Sequence, residues 1–179
     1  MIRGTLAVVV LAVLLGAGSA AAAEKQAYPV SFHAFALASG TTAGTQLDKG
    51  GNGAGNWPFN TAYASYFGLE SEVTQLHSLA EAEQFIKAGI PLVASIAFNP
   101  GKLDGFFFKS TNGHLMVIVG FTGTGDPIVN DPASPDDATV RHVYDRAQFE
   151  DAWMTATGGI VYLIHPSSVA LPPSPGGNW

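Results

Sequence analysis

The chain has 179 residues, with 8 basic against 14 acidic side chains, a formal net charge of -6 and no cysteine. That length suits one domain burying roughly two-thirds of its unfolded surface. The acidic balance speaks against nucleic acid and anionic membranes, which need clustered positive charge. The missing thiols exclude disulfides, Cys-ligated zinc, a lipidated N-terminal cysteine and a thiol nucleophile.

Residues 1–23 have the three parts of an export signal. Arg3 is the positive n-region, Leu6 to Leu15 the apolar core, and Gly16, Gly18, Ser19 and Ala20 to Ala23 the small-residue cleavage region. The apolar core is short for a membrane span, so export is expected, to the cell envelope or beyond, without stable membrane insertion once the leader is removed. Arg3 is the only charge the leader carries, so the acidic excess survives its removal. An uncleaved anchor is the alternative. Residues 24–56 form an N-terminal segment whose second part, GTTAGTQLDKGGNGAGN, has almost nothing to bury and reads as a loop or linker.

Regular patterning starts at Trp57 and runs to Pro166. Asn60 can cap a short helix from Thr61 to Tyr66, stopped by Gly68, and Glu70 to Leu76 suits a strand. Ser78 and Glu81 make a capping box opening a helix whose face carries Leu79, Ala82, Phe85 and Ile86. Gly89 and Pro91 end it. Leu92 to Phe98 is an apolar strand. His114 to Phe121, a turn over residues 123–126 and Ile128 to Asn130 signal a hairpin. Val140 to Tyr144 is a strand, Asp145 and Gln148 can cap a helix to about Trp153, and Gly158-Gly159 leads into a strand from Ile160 to Ile164. This order predicts an α+β fold. Residues 167–179 (SSVALPPSPGGNW) predict an extended Pro-rich tail.

Two motifs carry candidate chemistry. Asn112-Gly113-His114 opens one strand and Asn130-Asp131-Pro132 closes the next. Folding the hairpin about residues 123–126 pairs Asp131 with Ile118, which shares the strand parity of His114, so both side chains point to one face. That register leaves them apart along the strand unless a bulge or twist closes the gap. Together, the aspartate would orient the imidazole, which could take a proton from a nucleophile and return it to a leaving group. Read structurally, His114 bonds a backbone carbonyl and Asp131 is a turn residue before Pro132.

Other features are weaker. Phe106, Phe107 and Phe108 read as a groove wall or as a loop pinned to the core. Asp131, Asp136 and Asp137 with Ser134 loosely suggest calcium without the EF-hand spacing. His33, His77, His142 and His165 lack metal spacing and read as surface or edge histidines. No cofactor or metal is expected. Trp57 and Trp153 read as core aromatics.

The blocks GNWPFNTAYASYFGLE, AGIPLVASIAF, GHLMVIVGFTGTGDPIVNDPASPDDATVRHVYDRAQFEDAW and GGIVYLIHP resemble the papain-like cysteine peptidases of the bacteriocin-processing type, family C-39, and their secreted relatives. The resemblance covers about Gly55 to Pro166, the C-terminal two-thirds of such a domain. It implies a papain-like fold, an antiparallel sheet with flanking helices, with His114 as general base and Asp131 as its orienting acid. The family's nucleophile is a cysteine opening a long N-terminal helix. Nothing in residues 24–56 resembles that helix, so the fold is expected to be incomplete in its N-terminal half. Ser31, Ser39, Thr41 and Thr42 are hydroxyl candidates, none in a recognisable elbow. Residues 27–38 can replace the missing helix as cover for the sheet; the alternatives are a dimer and a chain that barely folds. The resemblance leaves two functions open: an inactive peptidase-like domain binding a peptide or protein ligand, and a hydrolase with a substitute nucleophile.

Overall fold

The computed structural model describes residues 57–179 and, upstream, the backbone of two short strands, β1 (Ala7–Val9) and β2 (Ala34–Ala36), paired antiparallel. Apart from these strands, the expected leader, the linker and the covering segment 27–38 lie outside the described residues.

Helix α1 (Trp57–Ser65) starts earlier than its sequence suggests. Pro58 sits in its first turn, where a missing N–H costs nothing, so Asn60 is not the cap. Asn60 lies within the helix, and its amide donates to the Tyr162 hydroxyl at 3.0 Å. Strand β3 (Glu70–Gln75) leads to α2 (Leu79–Lys87), capped by Ser78, which accepts from the Glu81 N–H at 3.4 Å. The reciprocal half of the box is displaced by one residue: Glu81 accepts from the His77 N–H at 2.7 Å, not from that of Ser78. Strands β4 (Leu92–Phe98), β5 (Thr111–Phe121), β6 (Pro127–Asn130) and β7 (Arg141–Val143) follow. Asp145 caps α3 (Arg146–Thr157), accepting from the Gln148 N–H at 2.9 Å. This helix runs past Trp153 until Gly158 takes the left-handed conformation at φ 69° and ends it. Strand β8 (Ile160–His165) closes the core.

The six strands β3 to β8 form one antiparallel sheet in the order β3-β8-β4-β5-β6-β7. Helices α2 and α3 cover one face, where Leu79, Phe85, Phe149 and Trp153 meet Leu92, Ile96, Met116, Ile118 and Leu163. On the other face Ala64 of α1 joins Val93, Val117, Tyr162 and Ile164. Strands β4 and β8 are therefore covered on both faces, which is why they read as unbroken apolar runs rather than alternating ones. Each large side chain buried here contributes about 1.5–3 kcal/mol.

Trp153 is fully buried, its indole N–H donating to the Ile160 carbonyl at 2.9 Å, whereas Trp57 is only half-buried against the second face. The Pro-rich end is not a free extended tail. Val169, Leu171 and Trp179 pack on the helical face, and the Trp179 ring sits edge-on to Phe85 at 4.9 Å. Asn178 holds it there, donating to the Gln75 carbonyl at 2.7 Å while its own carbonyl accepts from the Thr74 hydroxyl. Its prolines shape a return rather than a spacer, because apolar residues between them have a surface to bury. Among the described residues no helix is long and apolar enough to cross a membrane.

Candidate active site

His114 stands on β5 opposite Ile96, on the same face as Met116 and Ile118. The hairpin register differs from the one expected. Ile118 pairs with Val129 and Val117 with Asn130, while Gly120 already pairs with Ile128. Val119 is thus an extra residue on β5, a bulge that shifts the register and sharpens the local twist. The turn is also centred one half-step earlier, since Phe121 pairs with Pro127. Continued past Asn130, the register sets Asp131 opposite Met116, two residues from His114 rather than four. That is the diagonal reach at which long side chains on one face touch.

They do touch. His114 Nε2 lies 2.7 Å from Asp131 Oδ1, with the imidazole 17% exposed and the carboxylate 0% exposed. An ionised carboxylate only accepts, so Nε2 carries the proton and donates. Nδ1 is left with the lone pair and is bonded to nothing among the described residues, which makes it the nitrogen able to take a proton. The turn reading of Asp131 holds as well: Oδ1 also accepts from the Ala133 N–H at 2.8 Å, and its backbone carbonyl accepts from the Ser134 N–H at 3.2 Å. The turn after β6 therefore fixes the carboxylate that orients the histidine.

The aromatic loop divides between its two readings. Phe106 is pinned inward, edge-on to the His114 ring at 5.4 Å and to Phe98 at 4.9 Å. Phe107 and Phe108 remain exposed, Phe107 resting edge-on against His142 at 4.8 Å. Tyr144 lies behind Phe106 at 6.4 Å and stacks on His142 at 5.8 Å. Its hydroxyl is pushed well above the ordinary tyrosine range, first by burial and second by the Asp131 charge. Tyr162, on the opposite face, is raised by burial, partly offset by the Asn60 hydrogen bond. The sequence marks Tyr144 only as a strand end and His142 as a surface or edge histidine; β7 is an edge strand of the sheet, but both rings lie on its covered side. Strand parity was the available signal, since His142 pairs with Val129, which packs on the same face as Met116 and Ile118.

Other candidates resolve differently. Asp136 caps a short 3₁₀ turn, Asp137–Thr139, accepting from the Thr139 N–H at 2.9 Å, so its carboxylate serves the backbone. Among the described residues no cluster of three His, Asp or Glu side chains could hold a metal ion. His165 is not a surface residue: β8 buries it, with Nδ1 3.0 Å from the Pro166 carbonyl. No serine or threonine hydroxyl among the described residues bonds His114, and Ser31, Ser39, Thr41 and Thr42 lie outside them.

The described residues form an α+β domain with a buried His–Asp pair at the end of an antiparallel hairpin. A family model described as the Peptidase_C39 like family matches residues 19–161, and the chain belongs to that family. The match begins well upstream of Gly55, where the recognisable blocks start, so it takes in the low-complexity segment. A solved structure described as a "putative C39-like peptidase from Bacillus anthracis" is 19% identical, covering 60% of this chain and 56% of its own, with a TM-score of 0.42. The match thus spans little more than half the length of that chain. No curated protein matches.

Proposed function

We propose that this is an exported C39-like domain that keeps the base and orienting acid of a peptidase but not its nucleophile, and that it binds a peptide or protein segment without cleaving it. One observation carries the reading: His114 and Asp131 are assembled at 2.7 Å in a chain with no cysteine. In thiol peptidases the attacking species is a thiolate, and an imidazole without one has nothing to activate. Export rests on the charge and hydropathy pattern of residues 1–23 and is tested by fractionating cells that express the full chain. Binding is tested by calorimetric titration of the purified protein with a peptide library. The reading predicts saturable binding that survives His114→Ala, with no change in peptide length. Failure of every peptide to bind would refute the binding role.

A hydrolase with a substitute nucleophile is the second reading. It is favoured by the unbonded Nδ1 of a partly exposed His114, positioned to accept a proton from a hydroxyl. Ser31, Ser39, Thr41 or Thr42 would supply that hydroxyl. Labelling by a serine-reactive fluorophosphonate, lost in His114→Ala, would establish it.

A further inference from the structure

The cover over His114 comes from outside its own strand. Asn112 and Gly113, just before it on β5, are exposed, yet the imidazole is only 17% exposed and the carboxylate it bonds is 0% exposed. The ring set against the imidazole is that of Phe106, half-buried and edge-on to it at 5.4 Å with an interplanar angle of 75°. Phe98 at 4.9 Å and Tyr144 at 6.4 Å flank Phe106 in turn. Phe107 and Phe108 are exposed instead.

Phe106 belongs to the connection between β4 and β5, which has no helix or strand of its own, so other elements must fix it. Leu103 anchors the connection in the core beneath the helices. Beside it, Gln148 holds Asp104 at two points. The Asp104 backbone N–H donates to the Gln148 side-chain carbonyl at 2.8 Å, and the Gln148 amide donates back to the Asp104 carboxylate at 2.9 Å. Gln148 is itself fixed in the first turn of α3, where its backbone N–H donates to the Asp145 cap at 2.9 Å. Exposed hydrogen bonds add little to global stability, but a two-point hold restricts the backbone that carries Phe106 two residues on. A line of direct contacts therefore runs from α3 through Gln148, Asp104 and Phe106 to the histidine.

The bond that Phe106 covers is sensitive to water. His114 Nε2–H donates to Asp131 Oδ1 at 2.7 Å, and such a charge-assisted bond keeps its strength where water does not compete for the donor. An imidazole can also turn about its second side-chain torsion, which would carry Nε2 off the carboxylate. A ring packed edge-on beside it obstructs that turn. We propose that Phe106 is a positioning residue for His114: held by the Asp104–Gln148 clamp, its ring keeps the imidazole from turning and keeps water from the Nε2–Asp131 bond. The role goes beyond membership of the family and holds whether or not a nucleophile completes the site.

NMR of the full chain with labelled imidazole nitrogens tests it. In the wild type at neutral pH, His114 should show the Nε2–H tautomer with a slowly exchanging proton. Phe106→Ala should speed exchange of that proton with solvent about tenfold, while the backbone amides of Met116 and Val117 stay as protected as in the wild type. Gln148→Ala opens the clamp from its exposed side and leaves the Phe106 ring in the chain, so it should speed exchange by a smaller factor. Phe108→Ala removes a ring that is 56% exposed and should leave the rate unchanged. An unchanged rate in Phe106→Ala, or an equal effect of Phe108→Ala, would overturn the proposal. So would faster exchange of the Met116 and Val117 amides alongside the imidazole proton, which marks general loosening of β5. Should Phe106→Ala fail to fold, Gln148→Ala decides, and a wild-type rate there overturns the proposal.

Discussion

At the scale of single residues, the site is held by the burial of one carboxylate. Asp131 accepts from an imidazole and a backbone N–H with no exposure to water. Asp131→Ala strands both donors, and leaving a buried donor unmet costs roughly 1–3 kcal/mol. Urea unfolding should therefore show Asp131→Ala less stable by about 3 kcal/mol. Asp131→Asn keeps an acceptor at Oδ1 and should lose less than half of that. Equal losses would mean that the turn, not the hydrogen bonds, sets the cost. A second prediction concerns alkaline pH. Tyr144 and Tyr162 both have their hydroxyls raised above the ordinary 10.0. Ionisation is then easier in the unfolded chain, so their contribution is complete below about pH 10 and is lost as pH rises through the folded values. Urea midpoints should fall as pH rises above about 10, and fall less in Tyr144→Phe. Identical slopes in the two proteins would contradict this.

At the scale of elements, helix starts and strand lengths follow local chemistry, and the exceptions are instructive. Ser78 and Asp145 cap their helices where the residue types say they should. Asn60 looks like a cap but is overruled by Pro58 in the first turn and is drawn to Tyr162, a partner distant in sequence. The hairpin was legible from two apolar strands flanking the turn over residues 123–126, but the bulge at Val119 was not, because an extra residue in a run of apolar ones leaves no mark on the pattern. The proximity of His114 and Asp131 depended on that bulge. Gly158-Gly159 was legible as a turn, though not for its tightest constraint. Gly159 has φ 88°, and a Cβ there would come 1.9 Å from the Leu76 carbonyl oxygen, whereas Gly68 at φ 77° has open space around it. Gly68→Ala should cost about 1–2 kcal/mol from backbone strain alone. Gly159→Ala adds a backbone collision and should cost clearly more, as thermal denaturation of the two variants would show; similar losses would argue that the α3–β8 turn can move.

At the scale of the molecule, the α+β class follows from the order of helices and strands, and the two covered faces at β4 and β8 agree with their continuous apolar runs. The Pro-rich end shows where composition misleads. Proline and glycine predicted an extended tail, but Val169, Leu171 and Trp179 decide the outcome by packing on the helical face beside Phe85. Deleting residues 167–179 should lower the unfolding free energy by about 2–4 kcal/mol through exposure of that surface. An unchanged melting temperature would show the docking to be energetically idle.

On the proposed function, His114 and Asp131 persist as a base and its orienting acid without a group to activate. Incubating the purified, metal-free chain with a panel of unstructured peptides, and following cleavage by mass spectrometry beside His114→Ala, measures this most directly. Intact peptides are expected with both proteins. Cleavage by the wild type that His114→Ala abolishes would contradict it.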